Sequence, residues 1–218
     1  MPCLLAKHAR CCLPERLAFL ADSLGWERFH YVGHSWGATI GCHLSAAFPE
    51  RLCSLALLDA GYLPAPPEWS DPEAMLQRAR ALTSEFRFTS WEAMGDRRPP
   101  RWSAWSSTAL AAGMRRGADG AIVPGLAPEV YAAVTGGVAA EPPSSALELV
   151  RQGGVPTFLI RATEPSDDEP DRAAAAEVFS AALPAARVHV AQGCCHDLVG
   201  DLGTSLGQLL AEWLNDKA

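Results

Sequence analysis

The chain has 218 residues, of which 49% are hydrophobic and 20% charged, a size and composition that can bury the core of one main globular domain. A formal net charge of -7, with no run of Lys or Arg, excludes the positive field that a nucleic-acid partner requires. No apolar stretch reaches the roughly 18 to 20 residues of a membrane span, and the first twelve residues lack the apolar core of a signal peptide. The expected setting is the cytoplasm, with no membrane partner. Seven cysteines at irregular spacing argue for reduced thiols rather than a disulfide scaffold. The pairs Cys11-Cys12 and Cys194-Cys195 lack the spacer that lets two thiolates converge on one ion, so no metal site is expected, and they read as small, part-buried hydrophobes.

Residues 13–24 carry apolar side chains at helical spacing, with Pro14 tolerated in a first turn and Gly25 placed to stop the helix. Residues 29–32 form an aromatic and β-branched run. Gly33 interrupts it, and a helical stretch follows over 36–48, closed by Pro49. The spacing predicts strand, tight turn, helix. Residues 53–58 form a continuous apolar run, as in a parallel strand covered on both faces, and it ends in Asp59-Ala60-Gly61. Between 62 and 145 the pattern changes to prolines, to Trp69, Trp91, Trp102 and Trp105, and to helix-like stretches without a convincing core strand. This predicts a largely helical insertion. Strand and helix then alternate over 156–161, 171–182, 187–191 and 202–214, which argues for a parallel sheet with helical crossovers and an α/β fold.

Gly33-His34-Ser35-Trp36-Gly37 matches Gly-x-Ser-x-Gly. The pattern is short, and its weight comes from lying between an apolar strand and a helix, where the serine hydroxyl would stand above the sheet on a sharp turn. Small residues at 33 and 37 are expected because the turn is strained and the backbone close. The backbone N–H of Trp36, at the helix start, is the expected donor to a developing oxyanion. A serine hydroxyl needs a base, and His196 follows the last predicted strand, in a loop where an open α/β sheet collects its catalytic groups. His8, His30, His43 and His189 read as structural, and His34 as a packing or orienting residue. In the chain order serine, acid, histidine, the acid is expected after the 157–161 strand, with Glu164 first and Asp168 second. Asp59, after the preceding strand, is the third alternative.

With these residues in hand the chain resembles the α/β-hydrolase superfamily, in particular small bacterial esterase, lactonase and haloperoxidase-like members. The similarity runs through Leu24-Gly-Trp-Glu-Arg-Phe-His-Tyr-Val-Gly-His-Ser-Trp-Gly-Ala, Phe48-Pro-Glu-Arg-Leu, Leu55-Ala-Leu-Leu-Asp, Val155-Pro-Thr-Phe-Leu-Ile and Gly193-Cys-Cys-His-Asp. The resemblance implies a mostly parallel sheet divided into core (1–61), helical cap (62–145) and core (146–218), with the cap tryptophans lining an apolar pocket. It also implies hydrolysis of an ester, lactone or thioester of a small to medium apolar substrate through an acyl-enzyme, without cofactor. Members usually carry about four strands and a His-Gly-type loop before the nucleophile. Only about 34 residues precede Ser35 here, so the resemblance implies an N-terminally truncated sheet whose Ser35 strand is an edge. A homodimer covering that edge, a start upstream of Met1, and a degenerate, non-catalytic ligand-binding relative are the readings this leaves open.

Overall fold

A computed structural model describes residues 13–97, 108 and 110–216 of the chain. In chain order its helices and strands are α1 (Leu13–Ser23), β1 (Phe29–His34), α2 (Trp36–Ala47), β2 (Leu52–Leu58), α3 (Pro72–Glu85), α4 (Trp91–Asp96), β3 (Met114–Arg116), β4 (Ile122–Pro124), α5 (Pro128–Ala140), α6 (Leu147–Gly153), β5 (Thr157–Ala162), α7 (Glu169–Ala182), β6 (Arg187–Ala191), α8 (Leu198–Leu202) and α9 (Thr204–Asn215). They divide into two compact units. The first comprises Met1–Ala65, Glu141–Leu198 and Thr204–Ala218, and the second Pro66–Ala140 with Val199–Gly203.

The first unit is built on one sheet of four parallel strands in the order β1-β2-β5-β6. Side chains alternate across a strand, so Leu55 and Leu57 of β2 and Leu159 of β5 share one face. There they pack with Cys42 and Leu44 of α2, Leu147 and Val150 of α6, and Phe179 of α7. Full burial of each such leucine contributes about 1.5–3 kcal/mol relative to exposure. On the opposite face Trp213 of α9 meets Phe158 with ring centroids 5.2 Å apart. Helices on both faces explain why β2 and β5 read as nearly unbroken apolar runs. Among the described residues β1 pairs with a strand on its β2 side alone, and its Val32 is 43% exposed.

Two elements differ from the sequence expectation in this unit. Helix α7 begins at Glu169 rather than at 171, because Pro170 falls in the first turn, where its missing N–H costs nothing. The helix expected over 202–214 begins at Thr204 as α9.

The second unit is helical but contains an antiparallel pair, β3 with β4. Each strand has three residues, too few for an alternating pattern to register in the sequence. Phe88, Met94 and Ile122 form its small core. Helix α3 is capped by Asp71, whose carboxylate accepts the N–H groups of Glu73 and Ala74, and α4 by Ser90, whose hydroxyl accepts that of Ala93. Trp69 and Trp91 lie in this unit, Trp91 at 39% exposure. Trp102 and Trp105 lie outside the described residues. Tyr62, expected in the insertion, belongs to the first unit and is buried there.

Candidate active site

The strand register puts His34 of β1 beside Leu58 of β2, so the residues that follow them, Ser35 and Asp59, emerge next to each other at the carboxyl edge of the sheet. Ser35 N–H donates to the Leu58 carbonyl (3.1 Å) and Asp59 N–H to the Ile160 carbonyl (2.8 Å), which extends the ladders one step past the strands. Both residues then turn sharply. Ser35 has φ 54° and Asp59 φ 47°, and they are the two non-glycine residues with positive φ among those described. Side chains rarely adopt this backbone, and such strain concentrates at functional positions.

The turn at Ser35 depends on Gly33. A Cβ there would fall 2.4 Å from the Gly37 carbonyl oxygen. Gly37, expected to be small for the same reason, is not confined: its nearest neighbour to a Cβ is the Tyr31 hydroxyl at 3.9 Å, because that face of the first turn of α2 is open. The second close approach is at Gly41 instead. A Cβ there would lie 2.7 Å from the Tyr31 ring and 2.9 Å from Leu55, so α2 lies flush on β1 and β2 through this position. Trp36 opens α2, and its N–H is one of those that helix geometry leaves without an intrahelical carbonyl.

His196 lies in the loop after β6, half-exposed, and bridges Ser35 and Asp59. Its Nε2 is 2.8 Å from Ser35 Oγ and its Nδ1 2.8 Å from Asp59 Oδ2. An ionised carboxylate only accepts, so Nδ1 carries the proton and Nε2 is the acceptor facing the serine hydroxyl. The loop is fixed from two sides. His34 Nε2 donates to the His196 carbonyl (2.7 Å), which also accepts Leu198 N–H (3.0 Å). Thr163 Oγ1 accepts Gly193 N–H (2.8 Å), and the Cys194 carbonyl accepts the N–H groups of Thr163 and Glu164.

The carboxylate on His196 is therefore Asp59, the third alternative in the sequence, and not Glu164 or Asp168. Strand β5 runs one residue longer than expected and Thr163 turns inward to hold Gly193, which leaves Glu164 tied to the loop by its main chain alone. Its carboxylate makes no hydrogen bond or ion pair among the described residues. Asp168 is exposed at the start of α7. Asp59 is fully buried and accepts from four groups: His196, the Ala162 N–H (2.8 Å), Arg172 Nη1 (2.8 and 2.7 Å to its two oxygens) and the Tyr62 hydroxyl (3.2 Å). Burial alone would raise its pKa, but the bonds from His196, Ala162 and Arg172 and the charge of Arg172 outweigh burial and hold it below the ordinary carboxylate value. Burial and the charge of Asp59 push the Tyr62 phenol up, so it stays a neutral donor.

Elsewhere, His43 donates to the Glu141 carbonyl, His30 bonds Ser54, and His189 lies on β6. His8, Cys3, Cys11 and Cys12 lie outside the described residues, and no disulfide joins the described cysteines. Burial pushes the Cys42 thiol up to about 12.

A sharp strand-to-helix turn bearing a serine, with an imidazole and a carboxylate gathered at the carboxyl edge of a parallel sheet, defines the α/β-hydrolase fold. Residues 7–89 match the family model described as alpha/beta hydrolase fold. A segment of 46 residues, 21% of this chain, is 41% identical to a serine hydrolase-like protein of Danio rerio, and the match spans 14% of that protein's length. E-2-(acetamidomethylene)succinate hydrolase is similar over 93% of this chain and 72% of its own, at TM-score 0.68 and 19% identity. A thermophilic esterase from Thermogutta terrifontis is similar over 94% of this chain and 71% of its own, at TM-score 0.65 and 19% identity. At such identities the likeness is one of fold.

Proposed function

We propose that the chain is a serine hydrolase that cleaves an ester, lactone or thioester of a small to medium apolar substrate through an acyl-enzyme. The observation that carries this reading is the continuous relay Ser35 Oγ, His196 Nε2, His196 Nδ1, Asp59 Oδ2, with both contacts at 2.8 Å. A serine hydroxyl is a weak nucleophile until a base takes its proton, and a neutral imidazole held in the Nδ1–H tautomer by a buried carboxylate is such a base.

Ser35 Oγ attacks the substrate carbonyl carbon while its proton passes to His196 Nε2. The imidazolium is stabilised by Asp59. The carbonyl oxygen becomes an oxyanion, to which the Trp36 N–H at the head of α2 donates, helped by the positive end of that helix. Collapse of the tetrahedral species expels the alcohol or thiol, which takes the proton from Nε2. Water, deprotonated by His196, then releases the acid and restores Ser35. The solved neighbours named as hydrolase and esterase favour this reaction class over other chemistry on the fold.

The test is labelling of the purified chain with a fluorophosphonate, with Ser35→Ala and His196→Ala as controls. Labelling that both substitutions abolish is the expected result and leads on to ester, lactone and thioester panels. A folded chain that takes no label has no activated serine, and the reading then passes to a ligand-binding relative of the fold.

A further inference from the structure

An imidazole can be oriented by a carboxylate that carries nothing else, yet Asp59 also holds a buried cation. The Arg172 side chain is 10% exposed and that of Asp59 0%. Arg172 lies in α7 one turn after Glu169, and the start of α7 is clamped to β5 by a two-pronged bridge. Arg161 Nη1 and Nη2 reach Glu169 Oε2 and Oε1 at 2.7 and 2.9 Å. One turn further along the same helix, the Arg172 Nη1 bridges both Asp59 oxygens. Oδ2 is thus shared between the guanidinium and the His196 imidazole. The Nε of Arg172 has no hydrogen-bond partner among the described residues, and its Nη1 is engaged by Asp59.

The charges around this pair are few. Arg161 and Glu169 neutralise each other, and Tyr62 contributes a neutral hydroxyl. From β1 the His34 ring lies 4.9 Å from that of His196, and Asp197 and Cys194 belong to the same loop as His196. Arg172 is the one described cation bonded to the carboxylate besides the imidazole itself.

We propose that Arg172 is a positioning residue that sets the pH at which the Asp59–His196 pair becomes a competent base, by keeping Asp59 ionised and dividing its charge between guanidinium and imidazole. The inference rests on the reading of Ser35 as a nucleophile. The guanidinium, bonded to both oxygens of the buried Asp59, favours its ionised form. A buried Asp59 without Arg172 takes up a proton itself as the pH falls, and the relay is lost. Removing the cation therefore moves the acid limb of the pH–rate profile to higher pH.

The experiment follows the rate of fluorophosphonate labelling of the full chain against pH for the native protein, Arg172→Lys, Arg172→Gln and Arg172→Met, with circular dichroism of each and Ser35→Ala as the blank. In both neutral variants the acid limb is expected to move up by about one pH unit or more, so that labelling at the foot of the native limb falls about tenfold, while the plateau at high pH changes much less. Arg172→Lys, which keeps the charge, returns the limb towards its native position. Folded neutral variants with the native limb overturn the proposal, and so does failure of both to fold, which assigns Arg172 to the fold. A native chain that labels no better than Ser35→Ala overturns the hydrolase reading itself, an outcome distinct from a limb that does not move.

Discussion

Asp59 Oδ2 meets His196 Nδ1 at 2.8 Å from the end of β2, the strand that separates β1, which Ser35 follows, from β5. The acid and the nucleophile thus come from adjacent strands, and the histidine reaches both from the loop after β6. Asp59→Asn replaces an acceptor-only group by an amide that can donate, so His196 loses the tautomer that leaves Nε2 free for the serine. The expected loss is about 10⁴-fold in labelling rate or kcat, whereas Glu164→Gln changes either by less than about twofold. Parallel rate measurements on the two variants decide between the carboxylates, and a large loss in Glu164→Gln with Asp59→Asn active would reverse the assignment.

The parts of this site that were legible in the sequence are those with local signals. Gly33 to Gly37 between an apolar strand and a helix gives the turn and places Ser35, and His196 follows the last strand just before a helical run. Asp59 has no such signal, since an acid at a strand end reads as an ordinary loop residue. Its partners Ala162, Arg172 and His196 are 103, 113 and 137 residues away in sequence, and only the fold brings them together. A hint was nonetheless present in α7. Arg172 stands in an alanine-rich helix, on a stretch whose neighbours Ala176 and Phe179 are buried, and a cation on a buried face requires an anion. The β3–β4 pair was illegible for a different reason, its strands being held by Phe88, Met94 and Ile122 rather than by any pattern of their own.

His34 acts on the site without touching Ser35 Oγ. Its Nε2–H donates to the main-chain carbonyl of His196 and its ring lies 4.9 Å from the His196 ring at 38°. Losing this anchor frees the loop that carries the base, and misplacement by about an ångström costs on the order of 10²-fold in rate. His34→Ala is expected to lower kcat by roughly 10- to 100-fold with KM little changed, and His34→Gln, whose amide can still donate, to recover part of it. Equal loss in both would show that ring packing rather than the hydrogen bond matters.

The two glycines of the turn are not equivalent. At Gly33 a methyl group meets the Gly37 carbonyl oxygen at 2.4 Å, and main chain cannot step aside as a side chain can. Gly33→Ala is expected to lose about 1–3 kcal/mol or more together with labelling at Ser35, because the helix start must shift. Gly37→Ala meets no atom closer than 3.9 Å and replaces a helical glycine, so its stability should stay level or rise by up to about 1 kcal/mol. Urea midpoints of the two variants measure the contrast.

Asp59 also ties stability to pH, with a sign that follows from its environment. Its pKa in the folded chain is held below the unfolded value, for which about 3.9 is the reference, so its ionised form favours the native state. That contribution is fully present above the unfolded pKa and disappears as the pH falls through the lower folded one. Asp59→Asn removes the charge at every pH and leaves Arg172 buried opposite an amide, a loss of about 3–5 kcal/mol near neutrality for one broken partner of a buried pair. Lowering the pH protonates the native carboxylate and removes the same charge from the same place. Urea unfolding of the two proteins should therefore differ most near pH 7 and converge as the pH falls through the lowered folded pKa of Asp59. A gap of constant size across that range would mean that the native Asp59–Arg172 pair contributes nothing that titrates, and the buried ion pair would then be stabilised by packing alone.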